Sequence, residues 1–141
     1  MALDLQGCRT LVTGGSSGIG AGLAEALAER GAIVGICGRR DELLSEVIGR
    51  CMKHSPDSRM WVANLADPDA VDKLAVDVLD AFGGIDLLVN NAGVTRDGLL
   101  ARMSEADWDT VIQTNLSSCF HWTKAIGWPR RIVVPSATPG A

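Results

Sequence analysis

Tyrosine is missing from all 141 residues. The chain therefore holds no phenolic acid or base, and any proton transfer within it must use other groups. Its two imidazoles, His54 and His121, lie beside no candidate nucleophile, which argues against a Ser–His or Cys–His pair. No apolar run reaches the roughly 18 residues that a bilayer span requires. The four cysteines, Cys8, Cys37, Cys51 and Cys119, form no C-x-x-C pair and read as reduced core thiols rather than metal ligands. The opening "MALDLQGCRT" carries Asp4 and lacks the apolar centre of a secretory leader. Basic charge is also short: 13 Lys and Arg stand against 17 Asp and Glu, for a net charge of −4. That balance disfavours nucleic acid or an anionic membrane as partner. What remains is the expectation of a cytoplasmic globular chain, one domain by length, with no metal.

What is present is a regular alternation. Short apolar runs at 9–14, 32–37, 59–64 and 85–91, and "RIVVP" at 131–135, read as five strands. Between them lie helical patterns. Ile19, Leu23, Ala26 and Leu27 recur until Gly31, and Leu43, Leu44, Val47, Ile48 and Cys51 mark a second stripe. Asp67 before Pro68 suits a helix start, because the carboxylate caps free N–H groups and proline loses nothing there. The stripe Val71, Leu74, Ala75, Val78, Leu79, Phe82 follows, stopped by Gly83-Gly84. Ser104 with Asp107 resembles a capping box, opening a helix to about residue 124. Five nearly continuous apolar strands linked by four helices predict an α/β, Rossmann-type doubly wound parallel sheet in a single domain. The fifth strand would be left as a bare edge, so this domain is expected to be incomplete and prone to self-association.

Two stretches carry chemistry. "TGGSSGIG" at 13–20 falls between the first strand and the first helix. Gly14 allows a sharp turn, Gly18 a close backbone approach to a pyrophosphate, and Gly20 tight helix packing, with the helix N-terminus facing the phosphates. A tight turn with no ligand would use the same glycines. "NNAG" at 90–93 ends the fourth strand at its carboxyl end, where open α/β sheets bind ligands. Two asparagines capping a buried strand are costly unless their amides satisfy neighbouring backbone groups.

Together with Asn115 in "QTNLSS", these motifs resemble the short-chain dehydrogenase/reductase family. The stretch "NNAGVTRDGLLARMSEADWDTVIQTNLSS" is further similar to the bacterial 3-oxoacyl-[acyl-carrier-protein] reductases, and the resemblance covers residues 3–126. It implies hydride transfer between a nicotinamide dinucleotide and a carbonyl or alcohol, with 3-oxoacyl thioesters as the substrate class. It also assigns cofactor-binding positions: Gly14, Ser16, Ser17, Gly18, Ile19 and Gly20 in the turn, Arg39, Asn64 and Leu65 after the second and third strands, and Asn91, Ala92 and Gly93 after the fourth.

The end of the second strand bears on which dinucleotide. An acid placed there accepts from a ribose 2′-hydroxyl in NAD users. Here Gly38 fills that slot and Arg39 follows, a pair that suits the 2′-phosphate of NADP(H) over NAD(H). A solvated, charged helix start would also explain Arg39 and Arg40. Ser17 stands where NADP users of the family often carry Lys or Arg, and Asn64 stands where the family's adenine-binding Asp falls.

The family's catalysis uses Ser, Tyr and Lys, the last two as Y-x-x-x-K, with a supporting Asn. Asn115 matches the Asn. Ser136 falls at the first serine of the family's strand-end motif, and Ala137 falls where the catalytic serine belongs. With Tyr at zero, no Y-x-x-x-K can exist. Residues 127–141 form an atypical tail, and the expectation is a chain that ends before its catalytic pair. Two functions follow: the cofactor half of a carbonyl reductase, or a non-catalytic nucleotide-binding fragment.

Overall fold

Strands that are apolar on both faces need cover on both sides, and helices between them supply it. The computed structural model describes residues 4–16, 18–91, 104–106, 109 and 131–133. Along the chain run β1 (Arg9–Thr13), α1 (Gly18–Glu29), β2 (Ile33–Gly38), α2 (Asp41–Met52), β3 (Arg59–Val62), α3 (Pro68–Phe82), β4 (Leu87–Asn90) and β5 (Arg131–Val133). Each strand expected from the sequence is found, its ends shifted by at most two residues. The helix expected from Ser104 lies almost wholly outside the described residues.

The sheet order is β3-β2-β1-β4-β5 and every pairing is parallel. The chain winds outward from β1 through β2 to β3, then crosses back to pair β4 with the other side of β1. Right-handed crossovers require helices on opposite faces for these two directions. The packing obeys that rule. Val12, Val34, Ile36, Leu87 and Val89 turn to α1 and α2, which bury Ala24, Ala28, Leu44, Val47 and Cys51 against them. Leu11, Cys37 and Leu88 turn the other way, to Val71, Leu74, Ala75 and Val78 of α3. The sheet is thus the middle of three layers. β5 forms one edge of it among the described residues.

Local chemistry fixes the helix ends. The Asp67 carboxylate accepts from the Asp69 N–H at 3.0 Å, with Pro68 opening α3. Gly83 closes α3 in the left-handed region at φ 73°, its N–H donating to the Leu79 carbonyl at 2.8 Å. One expected stripe differs. In α1 the buried positions are Gly20, Ala21, Ala24, Leu27 and Ala28, while Ile19 is exposed. Small residues let α1 lie close on the sheet, so its face is set by size and not by hydrophobic bulk.

At the amino ends of the strands, Arg9 and Asp86 tie β1 to the approach of β4. The Arg9 Nε and Nη2 groups donate to the two Asp86 oxygens at 3.0 and 3.1 Å, and the Arg9 main-chain N–H donates to Oδ2 at 3.0 Å. That hydrogen-bonded carboxylate raises the guanidinium pKa above its ordinary value. Ser58 closes the same end of β2 from within: its buried hydroxyl oxygen accepts from the Val34 N–H at 3.0 Å.

Gly35 in β2 is required by a close approach. A Cβ there would lie 2.8 Å from Trp61 Cζ3 and 2.9 Å from Phe82 Cε2. Those rings meet edge to face, 5.6 Å between centroids at 79°. Gly35→Ala is therefore expected to lower stability by about 1–3 kcal/mol through overpacking, read as an earlier urea midpoint at unchanged slope.

Candidate functional site

All the described motif residues gather at one end of the sheet, the carboxyl ends of the strands. β1 is where the winding direction reverses, and open α/β sheets form their ligand crevice outside the carboxyl ends of the strands at such a switch point. The glycine turn rises from β1 on its α1 side, and Asn90-Asn91 rises from β4.

The turn is held from below. Gly14 sits at φ 70°, and its N–H donates to the Cys37 carbonyl at 2.8 Å, with Gly15 N–H reaching the same oxygen at 3.3 Å. The carbonyl at the end of β2 thus anchors the loop at the end of β1. Gly18 opens α1 at φ 61°, where an added Cβ would meet nothing within 4 Å. Gly20 is the opposite case. A Cβ there would lie 2.4 Å from both the Asn91 Nδ2 and the Gly14 carbonyl oxygen. Gly18 is needed for its backbone conformation and Gly20 for its lack of a side chain.

β1 and β4 are laced together over the crevice floor. The buried Thr13 hydroxyl donates to the Val89 carbonyl at 3.3 Å and accepts from the Asn91 N–H at 3.1 Å. The Asn91 carboxamide in turn donates to the Gly14 carbonyl at 3.1 Å. One of the two asparagines therefore satisfies a neighbouring backbone group, as its setting demands. The other, Asn90, is buried with Oδ1 and Nδ2 unpaired among the described residues.

The three described helices differ at their starts. α2 places Asp41 and Glu42 in its first turn, and α3 has Asp69 there with Asp67 as its cap. α1 has no acid in its first turn. The positive end of its dipole is thus not offset by an acid of its own first turn, and a helix start of this kind favours an external anion. Beside it, the Gly38 slot at the end of β2 is roomy. A Cβ there would have Ser16 Oγ at 3.8 Å and Leu44 methyls at 3.8 and 3.9 Å, all ordinary contacts. Arg39 follows, exposed. At the end of β3, Asn64 folds back so that Oδ1 accepts from the Ala66 N–H at 3.1 Å, leaving its amide nitrogen outward; Leu65 beside it is buried.

These are the features of a dinucleotide-binding α/β domain: a glycine turn feeding an acid-free helix start, at the switch point of a parallel sheet. The structure brings together Gly14, Ser16, Gly18, Ile19, Gly20, Arg39, Asn64, Leu65 and Asn91. Ser17, Ala92, Gly93, Asn115 and Ser136 lie outside the described residues. Thr13 and the Cys37 carbonyl were not singled out from the sequence. A threonine closing an apolar strand just before a glycine turn is the one signal for the first, and a main-chain oxygen leaves none for the second. Cys37 offers no reactive thiol, since burial pushes it up to about 12 and keeps it protonated. Among the described residues no group of His, Cys, Asp or Glu is placed to hold a metal.

The family pattern for the short chain dehydrogenases matches residues 9–127, and the chain belongs to that family. It is 42% identical over 126 residues to Nodulation protein G of a Rhizobium species, covering 89% of this chain and 50% of that protein. It is 39% identical to the 3-oxoacyl-[acyl-carrier-protein] reductase FabG of Vibrio cholerae, covering 88% of this chain and 50% of the relative. A short chain dehydrogenase from Burkholderia cenocepacia, solved in complex with NADP, superposes with a TM-score of 0.81 at 38% identity, over 88% of this chain and 51% of that one. An NADH-dependent reductase, A1-R′, complexed with NAD, superposes at 0.80 with 31% identity, over 87% and 52% of the two chains. The chain thus spans about half the length of the curated relatives it matches.

The lacing by Thr13 has a measurable consequence. Thr13→Val keeps the shape but removes the hydroxyl, and is expected to destabilise the chain by about 1–2 kcal/mol in chemical unfolding.

Proposed function

We propose that this polypeptide is the NADP(H)-binding portion of a short-chain dehydrogenase/reductase whose full machinery reduces 3-oxoacyl thioesters or similar carbonyls. Alone, it binds nucleotide without turnover. The observation that carries the binding reading is the acid-free start of α1 beside the open Gly38 slot, both at the switch-point crevice. The residues present fit a dinucleotide. Gly14 and Gly18 bring backbone close to a pyrophosphate, and the first turn of α1 supplies N–H donors to its oxygens. Asn64 and Leu65 flank the place of the base. The likeness to FabG supports the substrate class.

The choice of NADP(H) rests on the β2 end. Without a carboxylate at Gly38, the end of β2 lacks the acid that accepts from a ribose 2′-hydroxyl and repels a 2′-phosphate. Arg39 and the Ser16 hydroxyl can instead donate to that phosphate. Since both NADP- and NAD-bound proteins resemble this chain, these side chains, and not kinship, support the preference. NADPH is expected to bind at least tenfold tighter than NADH in calorimetric titration, and Arg39→Ala should remove most of that difference. Gly38→Asp, which the open slot admits, should reverse the preference. Equal affinities in the unaltered chain would sink this reading.

The nicotinamide supplies hydride, and the carbonyl oxygen then needs a proton. General acid catalysis typically contributes about 10²–10⁴-fold. With no tyrosine in the sequence and Ala137 at the expected serine position, this chain lacks the donor, and only Asn115 matches the constellation. No NADPH oxidation with acetoacetyl thioesters is expected at micromolar protein. A rate that follows the purified chain and vanishes in Asn115→Ala would falsify this view.

A further inference from the structure

We infer that the chain reads the base of its dinucleotide through a hydrogen-bond donor at Asn64 and does not recognise the exocyclic amine of adenine. A ligand whose base has no N–H on that amine is therefore bound as well as one that has it. This rests on the nucleotide-binding reading above and adds to it which atoms of the base are read.

A pyrophosphate on the start of α1 and a ribose read at the end of β2 carry the base outward along the carboxyl ends of the strands, to the end of β3. The ends of β2 and β3 are tied together there, for the Ala63 N–H donates to the Gly38 carbonyl at 2.8 Å. Asn64 comes next and is exposed, followed by the buried Leu65.

The turn after β3 fixes which way the Asn64 carboxamide faces. Its main-chain carbonyl accepts from the Asp67 N–H at 3.1 Å, and its Oδ1 accepts from the Ala66 N–H at 3.1 Å. A rotated carboxamide would set Nδ2 against that N–H, donor to donor, so the bond itself places the oxygen inward. Nδ2 leaves the same trigonal carbon in another direction and points away from the Ala66 N–H. Asn64 thus presents a donor to a base, where a carboxylate would present a second acceptor. Adenine carries ring nitrogens that accept on either side of an amine that donates. The Asn64 donor matches a ring nitrogen and finds no acceptor in the amine. A carboxylate would do the reverse, accepting from the amine and repelling the lone pair of the ring nitrogen.

Calorimetric titration of the whole chain with NADP⁺ and with its N6,N6-dimethyladenine analogue tests this. The analogue keeps the ring nitrogens, ribose and phosphates but has no N–H on the amine. It is expected to bind within about threefold of NADP⁺ or tighter, and a larger loss would overturn the inference. Asn64→Asp keeps an oxygen for the Ala66 N–H and replaces the outward donor with an acceptor for the amine. It is expected to shift the ratio of the two dissociation constants by about fivefold or more in favour of NADP⁺. The added charge acts on both ligands alike and cancels in that ratio. A smaller shift would overturn the inference while nucleotide binding stood. NAD⁺ and its dimethyl analogue repeat the comparison, with the same thresholds, if the 2′-phosphate is not preferred. Heat-silent titrations with all four ligands, confirmed by equilibrium dialysis, would overturn both readings together.

Discussion

Everything at the functional end of this chain depends on the lacing of β1 to β4 through one threonine hydroxyl. The two strands are neighbours in space but their paired residues, such as Thr13 and Asn90, are 77 positions apart, so their pairing closes the longest loop among the strands β1 to β4. Thr13 sits at the last rung, buried, giving its proton to β4 and taking one from the residue after it. Asn91 then reaches back to the Gly14 carbonyl. These bonds join the two sides of the crevice at its floor, where backbone groups would otherwise be left unpaired in a dry setting. The glycines follow from the same constraint. Gly20 must lack a side chain because Asn91 and Gly14 occupy the space one would take.

The division of labour around the crevice follows from that lacing. Among the described residues, Thr13 and Asn91 bond to the fold on the β4 side, while Arg39 and Asn64 are exposed after β2 and β3. α1 contributes by omission: it carries no acid in its first turn, unlike α2 and α3. An N-terminal carboxylate would stabilise the helix on its own, and leaving it out leaves the positive end unsatisfied for an anion. The small residues Ala21, Ala24 and Ala28 then bring the helix close to the sheet, which aims its N-terminus at the crevice.

Placement of the rigid and open features is consistent from one end of the molecule to the other. The amino ends of the strands are closed by paired charges and caps, with Arg9 and Asp86 joined bidentately and Ser58 accepting from the Val34 N–H. The carboxyl ends carry the exposed Arg39 and Ile19 and the outward Asn64 amide. The paired charges thus stand at the amino ends of the strands, while the exposed polar side chains of the candidate site stand at the carboxyl ends.

How much of this was legible in the sequence varies by residue. Period and punctuation marked β1 to β4 and the three described helices, because apolar runs bounded by glycine, and Asp67-Pro68 as a cap, are local signals. The parallel sheet followed from apolar continuity on both faces of each strand. Motifs placed Gly14, Gly18 and Gly20, since their spacing reflects backbone demands that only glycine meets. The missing Tyr was legible from composition alone, for a residue type absent from the chain is absent from any fold of it. The tertiary structure decided the rest. Ile19 belongs by period to the core stripe of α1 and yet is exposed, because the helix meets the sheet on its alanines. Asn90 and Asn91 are identical neighbours in the sequence, but alternate residues at a strand end face opposite sides. One pairs with Gly14 and the other is buried without a partner among the described residues. Thr13 became the keystone only because β4, far along the chain, lies beside it, and a contact between distant segments has no local signature.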